Sequence, residues 1–324
     1  MKKALVAAGI LLASLPGLAW AQAETTLNLG FVGGAQAPEA IAMGQFAEEV
    51  KEKTGGRIEI RLQGGGALGG DREVIEGVQL GTVDMTIVST SIVVNFDPSF
   101  AIFDIPFLFR DYDHARKVLD GKIGQDILKK FQSKGLVGLV WGENGFRHMT
   151  NSKHAIRTPA DAAGLKMRTM ENKVHMEGYK AFGILPTPMA FTELFTALQQ
   201  GTVDGQENPI PVILSAKFSQ VQKYLSLTGH VYSPATIIMN PGAFGKLSAD
   251  DKKVFLDAAK AGAAAMRKRV NDDEARGIAI LRKEGVEVTE KVDGEAFRKA
   301  IAPAYAGYAK EFGADNIAAI QAVR

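Results

Sequence analysis

Residues Glu73–Asp84 read EVIEGVQLGTVD, and 120 positions later residues Glu193–Asp204 read ELFTALQQGTVD, with six of twelve positions identical. Each copy spaces its apolar residues as an amphipathic helix, stops at a glycine (Gly81 or Gly201), and turns into the next segment. A helix–glycine–turn unit used twice predicts two lobes of similar α/β build. Shared composition among such units is the competing explanation for so short a match.

Outward from these units, the short runs TLNLGFV, RIEIRLQ, DMTIVST and GLVGLVW read as strands. Helical stretches such as AMGQFAEEVKEKTGG and DHARKVLDGKIGQDILKKFQSKG separate them. That alternation predicts mostly parallel sheets covered by helices. In TPADAAGLKMR, Thr158 is placed to cap a helix, with Pro159 at its first position and Asp161 as the acid of a capping box. Near the C-terminus, Val254, Phe255, Ala258, Ala261, Ala265, Met266, Val270 and Ile278 hold one helical phase between Ser248 and Gly285. Unbroken, this is a helix of about 50 Å, longer than one lobe and so expected to run along both. A break at Gly262 or near Asn271 would instead give two helices.

The chain has 324 residues and opens MKKALVAAGILLASLPGLAWAQAE. Two lysines, an apolar run from Ala4 to Leu15, a Pro16-Gly17 break and alanines at 19, 21 and 23 predict a secretory leader cleaved after Ala21 or Ala23. The apolar run is shorter than the roughly 20 residues of a membrane span. The expected location is therefore the periplasm. Lys2 and Lys3 account for the formal charge of +2, so the exported part is neutral, which suggests neither nucleic acid nor a polybasic membrane patch as partner. There is no cysteine, which excludes disulfides, thiolate catalysis and thiolate zinc sites.

Gly64–Gly69 spells G-x-G-x-x-G. A dinucleotide cradle needs the first strand before it and an acid about 20 residues on, at a strand end. Here the preceding strand is the second, and Asp84 stands before a strand, so a plain glycine loop is the better reading. The five histidines form no H-x-x-x-H pair, and no G-x-S-x-G elbow occurs. A Ser/His/Asp triad assembled in space stays open. No cofactor and no metal is implied.

The informative polar residues lie between Trp141 and Asn208. VGLVWGENGFRHMTN carries Arg147, and GLKMRTMEN places Arg168 on a short strand. Two arginines near strand ends would make a planar bidentate clamp for a carboxylate; each could equally be a solvated strand residue. Phe191, beside a helix N-terminus, reads as a pocket wall or a core aromatic. Asn208, before Pro209, reads as a ligand donor or a turn residue.

The segments FRHMTNSK, TPADAAGLKMR, PTPMAFTELFTALQQGTVDGQENP, LGGDREVIEGVQLGTVD and FDIPFLF resemble the DctP-type extracytoplasmic solute receptors of tripartite ATP-independent periplasmic (TRAP) transporters, over essentially the whole exported chain. The resemblance implies a two-lobed periplasmic binding protein fold with hinge strands and a long helix spanning both lobes. It divides the chain into 24–145 with 234–274 as lobe I, and 146–233 with 275–324 as lobe II. It also implies a monomer that closes on one small organic anion and docks on a membrane permease, without catalysis. By the same resemblance Arg168 clamps the substrate carboxylate, Arg147 is a second cationic position and Asn208 supports ligand and clamp. Phe191 lines the pocket, Asp71 is a polar position on a lobe-one loop, and the glycine-rich loop belongs to the cleft rim. Ser89, Thr90 and Ser91 are candidate hydroxyl contacts. GFVGGAQ and VSTSIVV, with Val32, Ser89 and Ile92, depart from the polar first lobe of sialic-acid receptors. A smaller anion is expected: a hydroxy or keto acid, a C4-dicarboxylate, a hexuronate or a small sulfonate. A hydrolase or lyase on the same scaffold, or a sensor receptor, are the competing functions.

Overall fold

The computed structural model describes residues 23–324. The expected leader, residues 1–23, lies outside the described residues except for Ala23. Among the described residues no helix is long and apolar enough to cross a membrane.

The strands are β1 (Thr25–Gly30), β2 (Ile58–Gln63), β3 (Met85–Ser89), β4 (Val137–Asn151), β5 (Lys166–Thr169), β6 (Leu185–Pro188), β7 (Gly205–Asn208), β8 (Tyr224–Met239) and β9 (Glu287–Thr289). They form one sheet in the order β2-β1-β3-β8-β4-β7-β5-β6, with β9 on β8. Pairing is parallel within β1–β3 and within β5–β7, as the alternation predicts. The joining pairs β3–β8, β4–β8 and β4–β7 are antiparallel, so the two mostly parallel parts form one continuous mixed sheet. Length explains it: β4 has 15 residues and β8 has 16, and at about 3.3 Å per residue such strands reach roughly 50 Å. They pass through both lobes and form the hinge.

The repeated unit does the same work twice. Its helices, Asp71–Leu80 and Phe191–Gln200, both end at a glycine in the left-handed region, Gly81 (φ 78°) and Gly201 (φ 71°). Then Asp84 Oδ2 accepts from Asn28 N at 2.7 Å, and Asp204 Oδ2 accepts from Lys166 N at 2.9 Å. Each aspartate thus ties the helix exit to the neighbouring strand, β1 or β5.

The long helix is unbroken over Ala249–Lys283, and the Ser248 side chain accepts from Asp251 N. Its interior glycines mark close approaches. A Cβ on Gly262 would lie 2.8 Å from Ala42 O of the first-lobe helix Pro38–Lys53, and one on Gly277 would lie 2.3 Å from Ile210 Cγ2 of the second-lobe helix Ile210–Ser215. Phe46 packs edge-on against Phe255 at 5.6 Å in the same contact. The helix is therefore fastened to both lobes. Thr158 and Asp161 form the expected capping box. The stretch 113–135 is less continuous than expected: it breaks at Gly121 and ends in a 3-10 turn over Lys129–Lys134.

The C-terminal helices make contacts on both sides of the cleft. The helix Gly294–Phe312 packs on both the second-lobe helix Lys173–Ala181 and the first-lobe turn Pro98–Asp104. After it, helix Ala314–Ala322 is held to the first lobe by Arg110, which donates to Gln321 O and Val323 O, and by His114 against Ile320 O.

Candidate functional site

The cleft is shut. Across it Arg72 pairs with Glu171 at 2.7 Å, Asn95 Nδ2 donates to Glu171 O, and Asn172 Nδ2 donates to Ser91 O and Asp104 Oδ2. The glycine-rich loop meets the second lobe here too, since a Cβ on Gly66 would lie 2.7 Å from Thr192 Cγ2. Behind this seam is a cavity of about 40 Å³, lined by Val32, Glu39, Asp71, Ile87, Val88, Ser89, Asn144, Arg147, Arg168, Met170, Phe191, Asn208 and Val212. A larger groove, of about 370 Å³, runs outside the first lobe between Ile123 and Phe312. Its charged residues, Asp126, Lys130 and Glu311, are surface groups, so the chemistry lies in the cleft.

Six of the eight expected residues share this cavity: Arg168, Arg147, Asn208, Phe191, Asp71 and Ser89. Thr90 and Ser91 do not, and here the expectation is corrected. Both are fully buried in the first lobe, Thr90 Oγ1 donating to Pro234 O and Ser91 Oγ to Asp104 Oδ1 at 2.6 Å. The chain turns into a helix at Thr90, so only Ser89, the last strand residue, faces the cleft.

The two arginines differ in their partners. Arg147 is held by Glu207 through Nε and Nη2, by Asn208 Oδ1 at 3.0 Å and by Ser233 Oγ at 3.3 Å. Burial works against its charge, but the Glu207 carboxylate outweighs it, and the Arg147 pKa is raised. Burial would likewise raise Glu207, yet Arg147 and then His230, 3.5 Å away, hold its carboxyl well below the usual range. The pair is an internally neutral ion pair.

Arg168 is 2 % exposed and donates from Nε to Met189 O at 2.9 Å; among the described residues no carboxylate hydrogen-bonds to it. Burial, and then repulsion from Arg147, push its pKa down to about 10, so it stays charged at neutral pH. Its guanidinium lies 6.0 Å from the centroid of Phe191, which opens its helix and also packs against Phe218. A fixed, desolvated fork with most of its donors facing a cavity is suited to a carboxylate.

Three polar residues of the wall were not singled out in the sequence: Glu39, Asn144 and, behind Arg147, Glu207. Asn144 and Arg147 are an odd number of positions apart and should face opposite sides of a strand. The β4–β8 register shifts between Glu143 and Gly145, and Gly145 sits at φ 116°, so the bulge turns both into the cavity. The glycines of WGENG were the available signal.

A two-lobed α/β protein, hinged by two long strands and closed over one buried cationic fork, is a receptor for a small anion. The chain belongs to the DctP family, bacterial extracellular solute-binding protein family 7, whose model matches residues 29–311. A TRAP periplasmic solute-binding protein from Polaromonas sp. JS666, solved bound to D-erythronate, is 65% identical with a TM-score of 0.91, covering 93% of this chain and 99% of that one. Another from Bordetella bronchispeptica, with density assigned as pantoate, is 50% identical with the same TM-score and the same two coverages. The 2,3-diketo-L-gulonate-binding periplasmic protein of Escherichia coli K12 is 38% identical over 279 residues, 86% of this chain and 85% of that protein. The protein is thus a solute-binding receptor of the TRAP type, and its relatives hold organic acids.

Proposed function

We propose that this receptor captures a short-chain hydroxy monocarboxylate, of the kind of erythronate or pantoate, in the periplasm and delivers it as a monomer to a TRAP membrane permease. The observation that carries this is Arg168, the lining cation to which no carboxylate among the described residues hydrogen-bonds, in a cavity whose apolar wall is Val32, Ile87, Val88, Met170 and Val212. The two similar structures holding erythronate and pantoate support the same ligand size.

Charge-assisted hydrogen bonds of about 1.5–3 kcal/mol each supply much of the roughly 8 kcal/mol that micromolar affinity needs. The ligand touches both lobes at once, and so favours the closed state. Capture without turnover fits the placement of the serines and histidines. Ser91, Asp104 and His175 do cluster, but Ser91 donates to Asp104 rather than to a histidine, and all three are fully buried. They knot the two lobes together rather than activating a nucleophile.

The test is thermal unfolding of the exported chain, from Glu24 on, against hydroxy acids, keto acids, dicarboxylates, hexuronates and sulfonates. A ligand at about 1,000 times its dissociation constant adds roughly 4 kcal/mol, a shift of several degrees. D-erythronate or pantoate should give the largest shift. A flat response from protein first unfolded and refolded, to strip any carried ligand, would contradict the proposal.

A further inference from the structure

The first-lobe wall of the cavity carries two carboxyl groups that capture of an anion does not call for. Glu39, in the first turn of helix Pro38–Lys53, and Asp71, opening helix Asp71–Leu80, both face the cavity. Glu39 Oε2 is buried and has no hydrogen-bond partner among the described residues, and the same is true of Asn144 Oδ1. Burial raises both carboxyl pKa values, that of Asp71 to about 7 with Glu39 beside it adding to the rise. Facing them are Arg168 from β5, the Arg147–Glu207 ion pair from β4 and β7, and Glu73 on the helix of Asp71. The cavity therefore sets two carboxyl groups and an unpartnered amide oxygen against the Arg168 guanidinium.

We propose that Glu39, with Asp71 beside it, is a specificity-determining residue: it accepts the hydroxyl hydrogens of the ligand's tail and turns away a second carboxylate. The receptor then takes hydroxy monocarboxylates and excludes dicarboxylates of the same length. The inference rests on the reading that Arg168 binds the one carboxylate. A terminal CH2OH brings the donor that the Glu39 and Asn144 oxygens need. A terminal carboxylate brings only acceptors and a like charge, and among the lining residues the remaining cation, Arg147, is already neutralised by Glu207.

D-erythronate and meso-tartrate differ only in that terminal group. Calorimetric titration at about pH 8, above the value of about 7 to which the Asp71 carboxyl is raised, should show wild type preferring erythronate by about 100-fold or more, a gap of the size that like-charge juxtaposition produces. Glu39→Gln should narrow the gap about tenfold, chiefly by tartrate binding better, because the amide can donate to the second carboxylate. In wild type the gap should also narrow between about pH 8 and pH 6 as Asp71, raised to about 7, takes up a proton, a reading that needs no variant to fold. Equal wild-type affinities at about pH 8, or a ratio unmoved by both Glu39→Gln and pH, would overturn the inference while leaving Arg168 in place. Wild type binding neither compound would overturn the Arg168 reading and this inference with it.

Discussion

Corresponding positions in the two lobes can be read from the sheet register. Leu29 and Gly30 of β1 lie beside Met85 and Thr86 of β3, and Met167 and Arg168 of β5 lie beside Gly205 and Gln206 of β7. The second pair of strands repeats the first, and Gly30 stands where Arg168 stands. A side chain on Gly30 would run into Leu68 and Val74. Asp71 and Phe191 open the two equivalent helices and both line the cavity. The same scaffold thus presents a guanidinium and an aromatic from one lobe, and from the other a glycine and a carboxyl. What is repeated is the backbone device, helix, glycine and aspartate tie; the ligand chemistry comes from the few side chains where the repeats differ.

The heaviest way to disturb this division is to leave the second lobe with two uncompensated cations. Glu207→Ala strands Arg147 in a site 1 % exposed, which should cost about 3–5 kcal/mol of stability, read from denaturant melts. A second effect follows from the histidines behind the clamp. Burial, and then His230, lower His148 to about 3, and burial also lowers His230. His148 stays neutral when folded but binds a proton when unfolded below about pH 6.5, so stability should fall with decreasing pH down to about 3, by up to roughly 1.4 kcal/mol per pH unit, and the lowered His230 adds in the same direction. His148→Gln should flatten that slope in melts across the range.

Gly262→Ala sharpens the comparison on the first-lobe side, where the long helix touches Ala42 O. Helix propensity favours alanine by about 1 kcal/mol, but the 2.8 Å approach should turn the net effect into a loss of about 1–3 kcal/mol. The smallest effect is expected at the rim. Arg72 and Glu171 are about half exposed, so Arg72→Ala should change affinity by less than about 1 kcal/mol, and less again at high salt.

Much of this was legible in the sequence because it is local. The repeated GTVD exits, the Ser248 cap and the capping box at Thr158 each lie within a few residues of what they control. Arg168, Arg147, Asn208, Phe191, Asp71 and Ser89 were legible as candidates from segments with specific patterns. The antiparallel joining of the sheet was not, since β4 and β8 pair across some 90 intervening positions. Nor was the neutralisation of Arg147, which depends on Glu207, 60 residues away. Asn144 was hidden by a bulge that breaks strand alternation, and Ser91 was misplaced because one helical turn directs its hydroxyl to Asp104. Glu39 gives no signal beyond an acid in a first helical turn, which ordinarily marks helix capping.

The claim on which everything else rests is that Arg168, and not the paired Arg147, receives the ligand's carboxylate. Calorimetric titration of D-erythronate into Arg168→Ala tests it directly. A loss of about 2–5 kcal/mol relative to wild type, with the fold intact by circular dichroism, is the expected result, since the anion would be left unpaired in a closed cavity. Near-normal affinity in that variant would contradict the account.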